Sequence, residues 1–211
     1  DSAKGNFAVR DNTPPVINDH NATPNNTTYK NNITIYANVT DNVGVLNVTV
    51  SILTVNYSMS GPPAIFTYTF NTSQYTAGTY NYTIYSNDTS TPANNAIAQT
   101  GNFTILPAAS TRELYLNSTQ NNWSVDEDEL VNLTAKLVEP TSGDLIQIYV
   151  NGSVAANSSS PAVNLSAYQP GYYNITALFS GNDNYTGSRV TWWLTVNDTT
   201  APYVINVTPQ G

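Results

Sequence analysis

The sequence predicts an all-β chain folded as two similar β-sandwiches in tandem. Three observations predict it. Apolar and polar residues alternate with period two over short stretches, as in Ile33, Ile35, Ala37 and Val39 or in Val131, Leu133, Ala135 and Leu137, the mark of a strand with one buried face. Turn-forming residues interrupt these stretches at intervals of about 8–12 residues, which is sandwich spacing. One strand also occurs twice. Gly78-Thr79-Tyr80-Asn81-Tyr82-Thr83-Ile84 returns as Gly171-Tyr172-Tyr173-Asn174-Ile175-Thr176-Ala177, starting 93 residues later. A chain of 211 residues holds two domains of about 100, each able to bury a core without disulfide staples. No stretch combines a 3.6-residue period with caps, so no helix is expected.

In the repeated strand, Tyr173, Ile175 and Ala177 face one way and Asn174 and Thr176 the other. It resembles strand F of an immunoglobulin-like sandwich, where a Tyr near the strand start bonds back to nearby backbone, two residues before the usual disulfide Cys. The resemblance implies tyrosine corners at Tyr80 and Tyr173, buried and hydrogen-bonded to backbone. Tyr82 and Ile175 stand where the Cys would be, so the core is apolar instead of disulfide-pinned.

Taken in order, residues 1–10 contain Gly5-Asn6-Phe7-Ala8-Val9, which parallels Gly101-Asn102-Phe103-Thr104-Ile105. They read as the closing or donor strand of an adjacent sandwich. The first sandwich spans 11–107, with strands near 15–18, 32–40, 45–53, 64–70, 79–86 and 97–105. Val48, Val50 and Ile52 form one inward face, and Phe66, Tyr68 and Phe70 another. Asp41-Asn42-Val43-Gly44 and Gly61-Pro62-Pro63 are the breakers. The second sandwich spans 108–197. Its inward set in the segment 145–150 is either Leu145, Gln147 and Tyr149 or Ile146, Ile148 and Val150. Val190, Trp192, Leu194 and Val196 close the unit, leaving Trp193 outward as a contact residue or glycan-stacking platform. Residues 198–211 open with Asp198-Thr199-Thr200-Ala201-Pro202, an echo of Asp11-Asn12-Thr13-Pro14-Pro15. They read as the opening strand of a further domain or as an inter-subunit strand. Residues 5–9 or 203–208 are therefore expected to form main-chain ladders with an adjacent copy.

The absence of cysteine excludes a disulfide framework, a thiolate metal site and a Cys nucleophile. Only 9% of residues are charged and the net charge is −8 with six basic residues, which argues against nucleic acid. No run approaches the roughly 18 apolar residues of a membrane span, and no secretory leader is visible. Solubility must then come from Asn, Ser, Thr and what they carry.

The chain holds 21 Asn-x-Ser/Thr sequons among 30 asparagines. Ser and Thr make up about 22% of the chain, so chance would give roughly seven. Twelve of the 21 middle residues are large and apolar, Ile33, Tyr82, Leu133 and Ile175 among them, which puts much of the excess on strands with Asn outward. Alternation explains outward Thr, but Asn is disfavoured in strands. Glycan attachment supplies the missing reason. The candidate sites are Asn32, Asn38, Asn47, Asn56, Asn71, Asn81, Asn87, Asn102, Asn117, Asn122, Asn132, Asn151, Asn157, Asn164, Asn174, Asn184, Asn197 and Asn206. Of these Asn32, Asn38, Asn81, Asn132, Asn164 and Asn174 should face solvent from strands. Asn21, whose sequon is followed directly by Pro24, and the adjacent Asn25 and Asn26, which would crowd each other, are poorer acceptors.

No catalytic arrangement emerges. His20, the one histidine, reads as a solvated residue of a polar loop, and a Ser-His-Asp triad needs an oriented base. Asp126-Glu127-Asp128-Glu129 reads as a solvated turn. Asp11, Asp41 and Asp88 lie far apart in sequence, but the chain entry, the B–C loop and the F–G loop share one end of an immunoglobulin-like sandwich. Three carboxylates there would suit Ca²⁺, which wants six to eight oxygens; ordinary turn aspartates would read the same way. No other cofactor is expected.

The segment Gly171 to Val196, with Ser180-Gly181-Asn182-Asp183-Asn184-Tyr185 at its centre and Leu194-Thr195-Val196 at its end, resembles the tandem bacterial and archaeal Ig-like domains of cell-surface proteins. The first sandwich, with Asp41-Asn42-Val43-Gly44-Val45, resembles another subgroup of those modules. This resemblance and the sequons imply an extracellular glycoprotein of the archaeal surface-layer or surface-filament type, whose partners are copies of itself and covalent N-glycans. The alternative is an adhesin or a carbohydrate-binding stalk module of a larger secreted protein; an enzyme domain comes third.

Overall fold

The computed structural model describes residues 10–141 and 143–203. The chain divides into two compact units with the boundary between Ala108 and Ala109. Each is a two-layer sandwich of strands, and the tandem immunoglobulin-like fold read from the sequence is the fold observed.

The first unit contains β1 (Val16–Thr23), β2 (Asn26–Thr28), β3 (Asn32–Thr40), β4 (Val45–Ile52), β5 (Val55–Ser58), β6 (Ile65–Asn71), β7 (Gly78–Asp88) and β8 (Gln99–Leu106), with one 3-10 turn at Thr72–Gln74. One sheet runs β1-β3-β6 and the other β2-β8-β7-β4-β5. All pairs are antiparallel except β2 with β8. In immunoglobulin lettering these sheets are A-B-E and A′-G-F-C-C′. The alternation in β3 sends Ile33, Ile35, Ala37 and Val39 into the core at 0% exposure, where they meet Val48, Val50, Ile52, Phe70, Tyr82, Ile84, Phe103 and Ile105. Each such branched or aromatic side chain contributes about 1.5–3 kcal/mol by leaving water.

The second unit repeats the plan with β9 (Thr111–Leu116), β10 (Trp123–Asp126), β11 (Leu130–Glu139), β12 (Leu145–Val150), β13 (Ser153–Ser159), β14 (Ala162–Ala167), β15 (Gly171–Gly181) and β16 (Thr186–Asn197). Its sheets run β9-β11-β14 and β10-β16-β15-β12-β13, with β10 parallel to β16. Strand for strand this is the topology of the first unit. The repeated strands β7 and β15 hold the same central F position in each. In β12 the buried set is Ile146 and Ile148, while Leu145 is 60% exposed.

The structure corrects several sequence readings. The first strand is not four residues but eight, so His20 lies on β1 opposite Ala37 instead of in a loop. It shares the inward face with Ala22, which is why a polar-looking segment pairs at all. The short strands β2 and β5 carry little apolar signal and were not expected. In β14 the facing is reversed: Leu165 is 59% exposed and Asn164 is the half-buried side chain. Edge-strand position makes this possible, because only one side of β14 is paired. Residues 198–203 carry no strand. The ladders expected of residues 5–9, and of 203–208 beyond Tyr203, lie outside the described residues.

Candidate functional site

Three carboxylates meet at one end of the first unit. Asp41 ends the B–C side of β3, Asp88 closes β7 at the F–G turn, and Asp11 lies in the entry segment. One oxygen or more from each lies within 4.8 Å of the others. Local backbone fixes them. Asp41 Oδ2 accepts from Val43 N at 2.9 Å and Gly44 N at 2.8 Å, an Asx turn that leaves Oδ1 free. Asp11 Oδ1 accepts from Thr13 N at 3.0 Å and Asn42 Nδ2 at 3.2 Å. Asp88 is fully buried; its Oδ1 accepts from Ser90 N, Ser90 Oγ and Asn94 N, and its Oδ2 from Asn94 Nδ2 at 2.8 Å. Burial pushes the Asp88 carboxyl up, but the hydrogen bonds from Ser90 and Asn94 outweigh it and hold the group below the usual carboxylate range. Asp88 is thus an anion at neutral pH.

Asp11 Oδ2 and Asp41 Oδ1 are buried and accept no hydrogen bond. A buried carboxylate oxygen without a donor is costly, and three carboxylates this close repel one another. A cation would relieve both. Ca²⁺ binds oxygens at about 2.3–2.6 Å, so two oxygens on opposite sides of one ion stand about 5 Å apart, and the observed spacing fits. Hard oxygen donors without nitrogen or sulfur suit Ca²⁺ in preference to zinc. Sequence reasoning placed the three acids but missed Asn94, which ties the Asp11 backbone carbonyl to the Asp88 carboxylate through Nδ2 at 3.1 and 2.8 Å.

Both corner tyrosines bond backbone four residues upstream. Tyr80 donates to the Thr76 carbonyl at 2.7 Å and Tyr173 to the Gln169 carbonyl at 2.8 Å. Their rings are half-buried rather than buried. Tyr82, 2% exposed, occupies the absent Cys position, and its hydroxyl shares a hydrogen bond with His20 Nδ1 at 3.1 Å across the sandwich. Burial and the nearby Asp19 push the Tyr82 hydroxyl up. Gly101, directly opposite on β8, makes room for the ring: a Cβ there would stand 2.3 Å from the Tyr82 hydroxyl oxygen.

None of the twenty described sequon asparagines is buried; Asn206 lies outside the described residues. Asn32, Asn47, Asn56, Asn71, Asn81, Asn102, Asn122, Asn132, Asn151, Asn157 and Asn197 are exposed, as are Asn21, Asn25 and Asn26. Asn38, Asn87, Asn117, Asn164, Asn174 and Asn184 are half-buried. Some have a structural duty of their own. Asn117 and Asn151 sit at φ 45° and 47°, a left-handed conformation that Asn tolerates. Their Oδ1 atoms accept from the backbone N–H of Asn132 and Asn174, each at 2.8 Å. Asn71 Oδ1 caps the 3-10 turn at Ser73 N. Asn164 spends its Nδ2 on the Ala155 carbonyl, and Asn197 spends its own on Ser124 and Asp126.

The acidic run is not merely a solvated turn. Glu127 Oε1 accepts from Thr199 N at 2.9 Å, Thr199 Oγ1 at 3.0 Å and Thr200 Oγ1 at 2.5 Å, latching the segment after β16 onto the second unit. The bonds from Thr200 and Thr199 hold the Glu127 carboxyl below its ordinary value. Asp198 Oδ1 accepts from Thr200 N at 2.9 Å, as Asp11 does from Thr13 N. On the outer face of the β15–β16 sheet, Trp193 is 50% and Tyr172 76% exposed.

The sequence profile of the Bacterial Ig domain family matches residues 20–84, within the first unit and under a third of the chain. A search of curated proteins finds no match. Among solved structures the chain is similar to fibronectin(III)-like modules of CbhA from Clostridium thermocellum, at 14% identity and TM-score 0.36 over 87% of this chain and 94% of that one. It is similar to tandem Ig domains of titin at 11% identity and TM-score 0.35, over 88% and 98%. It is also similar to a Ca²⁺-stabilized adhesin of an Antarctic bacterium at 12% identity and TM-score 0.34, over 90% and 50%. Similarity at this level carries nothing about function, and the fold rests on the strand topology itself: the chain is a tandem of immunoglobulin-like β-sandwiches.

Proposed function

We propose that this chain is part of an extracellular, heavily N-glycosylated structural protein that builds a cell-surface assembly such as a filament, sheath or surface layer. The observation that carries the reading is the placement of the sequons. An excess threefold over chance sits on two sandwiches without one acceptor asparagine being buried among the described residues. Sugars attached there would cover the strand faces and supply the hydration that a 9% charged fraction does not. The trio Asp11, Asp41 and Asp88 supports the same reading as a calcium site that stiffens the entry to the first unit. Exchange of residues 5–9 or 203–208 between copies would be the route of assembly. The test is the mass of the native protein against that of its polypeptide: a large carbohydrate excess is expected, and a mass equal to the bare polypeptide would refute the reading.

A second reading, an adhesin or carbohydrate-binding stalk, draws on one observation, the exposure of Trp193 and Tyr172 on one sheet face. Retardation of the protein in gels containing soluble polysaccharide, lost on Trp193→Ala, would favour it.

A further inference from the structure

The sequon Asn174-Ile175-Thr176 lies on β15 with an unusual neighbour. In the antiparallel pair with β16, Asn174 stands directly opposite Trp193. Opposed residues share a face and hold their Cβ atoms about 4.5–5.5 Å apart. The flanking pairs Tyr173 with Leu194 and Ile175 with Trp192 point to the core side, so Asn174 and Trp193 share the outer one. Trp193 leaves half of its surface in water there, although apolar area of this size is normally buried.

The hydroxyls beside the pair orient the amide. Thr176 Oγ1 lies 2.9 Å from Asn174 Oδ1 and 2.8 Å from Thr191 Oγ1. A hydroxyl has one proton. Thr176 therefore donates to Asn174 Oδ1 and accepts from Thr191, and the chain of bonds pins the amide oxygen. Asn174 Nδ2 is left without an acceptor among the described residues, unlike the Nδ2 atoms of Asn164 and Asn197. The nitrogen that would carry sugar is free beside an exposed indole.

We propose that Asn174 is a glycan attachment site and that Trp193 is the seat of its first sugar. This rests on the glycoprotein reading above and assigns one site within it. In the attachment step, Asn174 Nδ2 bonds to the anomeric carbon of a lipid-pyrophosphate-linked oligosaccharide. The anomeric C–O bond breaks, its electron pair leaves with the lipid pyrophosphate, and Nδ2 gives up one proton to a base of the transferase. The attached ring rises next to Trp193 and lays its C–H face, weakly positive, on the negative face of the indole. The contact covers the exposed aromatic surface, limits the swing of the glycan and protects the centre of the β15–β16 sheet face.

The test uses the full chain. Glycopeptides of the native protein report whether Asn174 is modified. The chain secreted from cells whose N-glycans begin with N-acetylglucosamine then reports the seat by NMR. The ring protons of the sugar on Asn174 are expected to shift upfield in the wild type and in Trp193→Phe, and to return to free-glycan positions in Trp193→Thr, which keeps strand propensity. Melting supplies a second readout. Loss of the glycan through Asn174→Gln is expected to lower the midpoint by about 4 °C when Trp193 is present, and by much less in Trp193→Thr. Chain made without glycosylation should show no such coupling. A modified Asn174 with unshifted sugar protons overturns the seat and leaves the glycoprotein reading standing. A bare Asn174 beside modified sites elsewhere overturns the site alone. Native protein without sugar at any sequon overturns both.

Discussion

Calcium should set the stability of the first unit and leave the second untouched. The trio Asp11, Asp41 and Asp88 brings three carboxylates within 4.8 Å, and two of their buried oxygens accept no hydrogen bond. A ligand that binds only the folded state stabilises by about 2.7 kcal/mol at a hundredfold excess over its dissociation constant. Extracellular calcium modules bind at about 0.1–1 mM, so 10 mM Ca²⁺ reaches about that excess at the tight end of the range. For a domain of this size the gain corresponds to a rise of about 10–20 °C in the melting midpoint. The perturbations are chelator and Asp41→Asn, which keeps an acceptor for Val43 N and Gly44 N but removes a charge. Scanning calorimetry with 10 mM Ca²⁺ should separate the two units, the first moving and the second not, since no second trio occurs among the described residues. In chelator Asp41→Asn should melt no lower than the wild type, because repulsion falls; in Ca²⁺ it should melt lower. A wild-type trace unchanged by chelator, or an Asp41→Asn variant destabilised equally in both conditions, would refute the metal and leave three turn aspartates.

Other consequences follow from single contacts. Tyr173→Phe removes the 2.8 Å bond to the Gln169 carbonyl from a half-buried ring, and should cost the second unit about 1 kcal/mol in denaturant unfolding; a neutral variant would mean that the corner does not brace strand F. Gly101→Ala places a Cβ 2.3 Å from the hydroxyl of a Tyr82 that is 2% exposed. The first unit should lose about 1–3 kcal/mol, and a loss within error would show that the ring moves freely. The Glu127 latch should respond to acid. Its folded pKa is lowered, so its contribution is complete above the unfolded value of about 4.3 and fades as pH falls through the folded one. Protection of the Thr199 amide, its exchange rate set against that of an unstructured amide at the same pH, should fall below about pH 4; protection already lost near neutrality would assign it to something else.

The fold was legible where burial is two-sided. In β3, Ile33, Ile35, Ala37 and Val39 sit between a paired neighbour on each flank and a facing sheet, so the alternation is complete. At edges the pattern decays. β5 and β2 have one partner each, and on the edge strand β14 Leu165 is exposed while the polar Asn164 takes the half-buried side. His20 was misread because its burial comes from a partner 62 residues away, Tyr82, and no local signal announces that. The three acids were legible through topology, since the segment that enters strand A and the loops that follow strands B and F gather at one end. Asn94 and the Glu127 latch were not, because amide and hydroxyl donors have no period. Counting sequons also leaves out a second reason for asparagine at Asn117 and Asn151, left-handed turns whose Oδ1 atoms bond the backbone of β11 and β15.

Site-resolved glycopeptide mass spectrometry of the native protein tests the central claim most directly. Asn132, exposed on β11, should carry sugar, while Asn164 and Asn197, whose Nδ2 atoms are committed to hydrogen bonds, should be poorly filled. Three sequon pairs stand directly opposite one another, Asn32 with Asn71, Asn47 with Asn87 and Asn81 with Asn102. At about 5 Å between Cβ atoms each pair should hold one glycan per molecule. Bare asparagines throughout, or filled Asn164 and Asn197 beside a bare Asn132, would contradict the account.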